Sequence, residues 1–241
     1  MTVSELVKGI TIIFSLVLLS ACQGSAPLQQ NETLEKNDFS INSVAKTDIN
    51  MVFDYQVRTI ERHLTNLMSK LYRRNPRYWR AYGYTSAEAR TRYVLSLSDR
   101  KISRILKGTR SVDSIYLAFD QSYGGDRVMA FVFGLKTMLY DAYGRTQDFY
   151  VLDQLDPQKL YNAARNIEVA VWKLSNGRMP DGQLILVSNE LDGEIKNLSF
   201  ERLFGKLIAI QDSNAAIVAD STNRTIKTVI QRVAAFVFLP I

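Results

Sequence analysis

FDYQVRTIERHLTNLMSKL, residues 53–71, is the stretch that decides the class of this chain. Phe53, Val57, Ile60, Leu64, Leu67 and Leu71 recur at alternating steps of four and three. That spacing draws one apolar stripe along a helix and predicts a helix from about 50 to 72.

Signals of the same kind follow toward the carboxyl end. Asn75-Pro76 reads as a stop and restart, with Asn as cap and Pro in the first turn. Thr85-Ser86-Ala87-Glu88 has the form of a capping box opening a helix to about Leu97. Ser98-Asp99 can cap the next, with Ile102, Ile105 and Leu106 as its apolar positions and Gly108 closing it. SIYLAF, 114–119, is ambiguous between helix and strand. Gly125-Asp126 opens a strongly apolar helix through about Tyr143, in which Lys136 interrupts the run and excludes a membrane span. Asp156-Pro157 starts another, on which Leu160, Ala164, Ile167, Val171 and Leu174 share a face until Asn176-Gly177.

After the turn at Pro180-Asp181-Gly182, QLILVS (183–188) is the best candidate for a β element, and the fold leaves room for one short β-hairpin near 183–196. Two helical stretches, about 199–211 and 214–238, finish the chain. No repeat of solenoid period occurs. The expected fold is mainly α, a single-domain irregular helical bundle over residues 49–241, long enough for one buried core.

The front of the chain differs. Gly9 to Leu19, GITIIFSLVLL, is an apolar run of signal-peptide length, shorter than the ~20 residues that span a bilayer as a helix. Small residues Ser20 and Ala21 follow, then Cys22, the one cysteine of 241 residues. From Gln23 to about Thr47 polar residues dominate without apolar period, so 22–48 reads as a tether of roughly 25–30 Å between ends.

Leu19-Ser20-Ala21-Cys22 resembles the lipobox of bacterial lipoproteins. The resemblance implies a signal peptide over 1–21, removed before Cys22, and acyl chains on the Cys22 thiol and the new amino group, the kind of multiple acylation that anchors a protein durably. Gln23, where that family carries Asp for inner-membrane retention, implies the outer membrane, facing the periplasm.

Composition excludes a fibrous or disordered chain: 46% of residues are hydrophobic and 22% charged. The net charge of +6 suits anionic partners without naming one. The inventory for catalysis is small. His63 is the one histidine, read as a partly exposed helix residue, and with one cysteine beside it no zinc site of His and Cys ligands can be built. No metal and no cofactor is expected, and no G-x-S-x-G, phosphate-loop or H-E-x-x-H pattern occurs.

Carboxylate pairs stay open, since glycoside chemistry needs two Asp/Glu at the right separation. The candidates are Glu168, Asp120, Asp126 and Asp141. Glu168 falls beside Tyr161 and Trp172, where desolvation would raise its pKa, against the plainer reading of a pair with Arg165. Asp126 and Asp156 are already explained as helix caps. Tyr123-Gly124-Gly125-Asp126-Arg127 has the look of a phosphate-cradling turn, and equally of a tight turn into a helix.

In LYRRNPRYWRAYGYT, 71–85, Arg73, Arg74, Arg77 and Arg80 interleave with Tyr72, Tyr78, Trp79, Tyr82 and Tyr84. Such a segment suits acidic glycan, lipid headgroups or a protein partner, with no nucleic acid expected on an exported protein. The plainer reading has the rings fill a helix junction. The apolar end AAFVFLPI, 234–241, is expected to pack into the domain.

The body from about 51 is similar to proteobacterial lipoproteins of unknown activity, on YGGDRV, LDQLDPQKLYNAARN, SFERLFGKLIAIQD and VFLPI. The expectation is therefore a lipid-anchored envelope protein, a non-enzymatic binding or scaffolding module for an envelope protein partner. A carboxylate-based hydrolase facing the periplasm and a binder of acidic glycan or lipid are the alternatives.

Overall fold

The 53–71 stripe is the inner face of α1, Asp48–Arg74, with Phe53, Ile60, Leu64, Leu67 and Leu71 buried and Val57 half-buried. A computed structural model describes residues 48–145, 155–189, 197–227 and 237–241. All of these lie in one compact unit, Asn42–Ile241. The expected signal peptide, Cys22 and the tether as far as residue 47 lie outside the described residues.

Eight helices follow one another among the described residues: α1, α2 (Arg77–Arg80), α3 (Ala87–Ser96), α4 (Asp99–Ile105), α5 (Ser111–Phe119), α6 (Arg127–Ala142), α7 (Pro157–Asn176) and α8 (Ser199–Thr222). The mainly α expectation holds. Helix α6 is the centre, and every one of its residues is buried except Lys136, Tyr140 and Asp141. It packs against α5, α1 and α7, while α8 lies along α7 and α1, and α3 lies on α1.

The closest approach is α5 against α6. A Cβ on Gly134 would stand 2.6 Å from Ile115 Cγ1 and 2.8 Å from both the Ile115 nitrogen and the Ser111 oxygen. Only a glycine lets the two backbones meet this way. One turn on, Thr137 Oγ1 accepts the Ser111 N–H at 2.6 Å and donates to the Phe133 carbonyl, which pins the start of α5 to the same seam.

Several boundaries follow from the caps read in the sequence. Asp126 accepts from Met129 N, Asp156 from Gln158 N and Ser98 from Lys101 N, each opening its helix. Three expectations about α3, α4 and α8 need correction. The cap of α3 is Ser86, which accepts from Ala89 N, and Glu88 is not its capping partner but pairs with Arg73. Ile105 is exposed, because seven residues of α4 give one buried position, Ile102. The residues around 211–214 do not break the last helix. Asp212 takes Arg165 and Asn214 donates to Tyr143 at 2.6 Å, so these polar side chains have tertiary partners and α8 runs through.

QLILVS is not a strand; it makes one isolated bridge, Arg178 with Leu184. Its backbone is taken up by side chains instead. The Asn75 amide donates to Val187 O and accepts from Val187 N, both at 2.8 Å, and Arg77 Nη2 donates to Ile185 O. Asn75 thus holds this segment like a strand edge and does not cap α2, whose N-cap Pro76 makes no side-chain bond. Residues 190–196, the second arm of the expected hairpin, and 228–236 lie outside the described residues.

The chain end packs as expected. Phe238 is buried and meets Tyr116 edge-on at 5.0 Å. Asn166 on α7 accepts the Leu239 N–H and donates to its carbonyl, and Asn162 donates to Pro240 O.

Candidate functional site

Of the four candidate carboxylates, Asp126 is the most deeply placed. It is wholly buried at the head of α6. Its Oδ2 accepts from Tyr72 Oη at 2.7 Å and from Arg90 Nη2 and Nε at 2.8 and 3.1 Å, and its Oδ1 accepts from Met129 N. Burial raises the pKa of its carboxyl, and the Met129 N–H, the Tyr72 hydroxyl and Arg90 offset that rise only in part. All of these contacts are donors, so the geometry holds an anion. Burial disfavours the Arg90 cation, but the charges and hydrogen bonds of Asp126 and Tyr72 together outweigh it and its pKa rises. Rings of Tyr82, Tyr84 and Tyr93 surround its guanidinium at 4.1, 5.2 and 5.5 Å. This is a closed structural ion pair.

The glycines before it serve the same end. A side chain on Gly125 would meet the buried Tyr123 ring. The helix amino end is already filled by Asp126, which repels a phosphate from the place where one would sit. Arg127 points its Nη1 into the carbonyls of Ala118 and Asp120 at 2.8 and 2.6 Å. The tight-turn reading therefore accounts for Tyr123, Gly125, Asp126 and Arg127, while nothing in the structure explains a glycine at 124.

The other three candidates stand apart. Asp141 pairs with Arg110 at 2.7 Å and with Arg145 at 2.9 Å. Asp120 accepts from Ser122 N and Oγ at 2.8 Å, which lowers its pKa. Glu168 shares Arg165 with Asp212, at 3.2 and 2.8 Å. Desolvation raises its pKa, Arg165 lowers it and Asp212 raises it again, with a net upward shift. No two of the four share a hydrogen-bond or ion-pair partner among the described residues, and no cluster of three His, Cys, Asp or Glu there could hold a metal. His63 is buried, not partly exposed, since its position on α1 turns it inward beside Leu64 and Leu67.

Segment 71–85 folds into the junction of α1, α2 and α3. Tyr72 and Tyr78 are buried, and Trp79 Nε1 donates to Tyr72 O. Arg77 stacks on Tyr78 at 4.7 Å and Arg80 on Trp79 at 5.0 Å. Arg73 pairs with Glu88 at the surface, and Arg74 is half-buried. Tyr72, Tyr78 and Trp79 are taken up by the junction, Tyr82 stacks on Arg90 with 47% of its surface exposed, and Arg73, Arg77 and Arg80 face solvent.

A broad concave surface lies elsewhere among the described residues. A trough of about 850 Å³ runs between α1 and α4 with α6 as its floor. Asp54, Val57, Arg58 and Glu61 form the α1 wall; Asp99, Arg100, Ser103 and Arg104 form the α4 wall. Phe133, Lys136, Thr137 and Tyr140 line the floor, and Arg110 closes one end. Each set follows helical spacing, so each helix presents one face. Five cations stand against three carboxylates. Lys136 is taken by Asp99 at 2.6 Å and Arg110 by Asp141 outside the lining. Arg100 and Arg104, exposed and one turn apart on α4, make no ion pair among the described residues.

At Glu61, Phe133 and Lys136 the trough opens into a narrower slot of about 230 Å³. Leu64, Met68, Val94, Leu97, Ile102 and Val132 line it, with Leu95 48% exposed at its mouth. The sequence reading missed both surfaces. The available signal was Lys136 with Tyr140, two of the three unburied residues of an otherwise buried helix, both of which line the trough.

No protein-family model, curated protein or solved structure matches this chain. No described helix is long and apolar enough to cross a membrane.

Proposed function

We propose that this chain is a lipid-anchored protein of the bacterial cell envelope, attached through Cys22 at the outer membrane and facing the periplasm. It works as a non-enzymatic binding module, and the trough between α1, α4 and α6 is its binding face. The observation that carries the binding reading is the pair Arg100 and Arg104, held out over a preformed trough whose other cations are already ion-paired or on the opposite wall. Concave, largely preformed sites of this size suit a bound ligand. The anchoring reading is supported by Leu19-Ser20-Ala21-Cys22 behind an 11-residue apolar run and ahead of a polar tether.

A hydrolase needs two carboxyls about 5–10 Å apart across a cleft. Glu168, Asp120, Asp126 and Asp141 are each committed to separate ion pairs, caps or turns, which favours binding over hydrolysis. An envelope protein is the partner expected from the sequence; the charge of the trough asks that whatever binds be acidic where it meets α4.

The binding test places a photo-reactive benzoyl-phenylalanine at Ser103 in the full chain, irradiates cells and analyses the membrane fraction by mass spectrometry. A defined adduct at Ser103, absent from the same probe at Ser213 on α8 and lost in Arg100→Glu/Arg104→Glu, is expected. Equal adducts at Ser103 and Ser213 would remove the trough from the account.

A further inference from the structure

The geometry points to a single-chain anionic amphiphile as the occupant: an acyl chain in the slot and a phosphate or carboxylate head on Arg100 and Arg104. This rests on the trough being the binding face. Two surfaces of opposite character meet at one place. The slot is lined by apolar side chains from α1, α3, α4 and α6, and its mouth stands beside Phe133 and Lys136 on the trough floor. The trough beyond carries an excess of two positive charges over its carboxylates. A molecule oily at one end and acidic at the other satisfies both.

Size selects the class. Whole-ligand sites run from about 300 to 1,000 Å³. At about 230 Å³ the slot takes only part of a ligand, one chain and not two. A docked amphipathic helix needs an apolar groove for its anchor residues, and the trough offers Val57, Phe133 and the Tyr140 ring among charged and hydroxyl side chains. An extended peptide fares no better. The walls are helices, whose backbone groups are satisfied internally, so they offer no strand edge for an extended peptide to pair with. Arginine forks one turn apart match the oxygens of a phosphate or carboxylate. Each chain methylene buried in the slot adds to that contact, so affinity grows with chain length until the slot is full.

The test uses the full chain reconstituted in phosphatidylcholine nanodiscs. Three photo-reactive single-chain probes carry a diazirine in the chain: palmitic acid, lysophosphatidylglycerol and the neutral hexadecanol. Labelling is mapped by peptide mass spectrometry. Both anionic probes are expected to label the slot around Met68, Val94 and Leu97 well above hexadecanol, and their ratio separates a free acid from a phospholipid head. Arg100→Glu/Arg104→Glu should lower anionic labelling about tenfold and leave hexadecanol unchanged. Thr65→Trp, which fills the slot from its half-exposed rim, should abolish labelling by all three while the urea midpoint stays at the wild-type value. Labelling scattered over the surface, or equal for acid and alcohol, overturns the amphiphile. A protein adduct at Ser103 with no slot labelling also overturns it but leaves the binding face standing; no adduct of any kind at Ser103 removes both.

Discussion

Replacing Asp126 by Asn changes one charge in a buried site and almost no volume. Asn caps a helix as well as Asp does, so the bond from Met129 N survives. Tyr72 Oη still finds an amide oxygen within reach of its donor position. What is lost is the counter-ion of Arg90, whose side chain is 5% exposed and whose partner is wholly buried. Removing one member of such a pair leaves an uncompensated buried charge and costs about 3–5 kcal/mol. Part of that is recovered by the three tyrosine rings around the guanidinium, so the lower end is expected. Against a total of about 5–15 kcal/mol for a domain, the loss leaves the fold marginal. With a urea slope of about 2–3 kcal/mol per molar, the midpoint should fall by about 1–1.5 M. Arg90→Met/Asp126→Asn, which removes both charges, should recover much of the loss. A fall below about 0.5 M for the single variant, or a double variant worse than the sum of its parts, would refute the account of this site.

Gly134→Ala should destabilise by about 1–3 kcal/mol despite the better helix propensity of Ala, because the new Cβ meets α5 backbone that cannot move aside; a rise in melting temperature would contradict this. Asn166→Ala strips both backbone partners from Leu239 and should cost about 1–3 kcal/mol, with faster amide exchange confined to the chain end. For Glu168 the sign runs from its raised pKa: the folded state holds that proton more tightly than the unfolded chain, so its ionisation penalises the fold above the folded pKa and the penalty vanishes as pH falls toward 4.5. Glu168→Gln should therefore gain stability over wild type at pH 7 and lose that advantage on acidification; urea midpoints across pH 4–8 that run parallel would refute it. Cys22→Ser should abolish labelling by an alkyne fatty acid and release the chain from membranes, and persistent labelling would refute anchoring at that residue.

Most of the helices were legible because their signals are local. The 53–71 stripe, the Asp126 and Asp156 caps and the apolar run of α6 need only their own neighbours to work. The strand at 183–188 failed because a strand needs a partner, and here Asn75 and Arg77 supply the hydrogen bonds from side chains more than a hundred residues earlier. The continuous α8 was hidden by Asp212 and Asn214, helix-breaking types whose roles are ion pairing to Arg165 and bonding to Tyr143. The arginine- and tyrosine-rich segment at 71–85 drew attention by composition, yet its rings build a junction. The trough was illegible for the opposite reason. Arg58, Arg100, Arg104 and Lys136 each look like ordinary solvated charge on their own helix, and only the packing of α1 and α4 over α6 brings them to one concavity.

Ser103 is the place to ask whether that concavity binds anything. Photo-cross-linking from this position in living cells should give one dominant adduct in the membrane fraction, erased by Arg100→Glu/Arg104→Glu and untouched by Arg73→Glu/Arg80→Glu in the neighbouring basic segment. An adduct that survives reversal of Arg100 and Arg104, or one no stronger than at Ser213, contradicts the account.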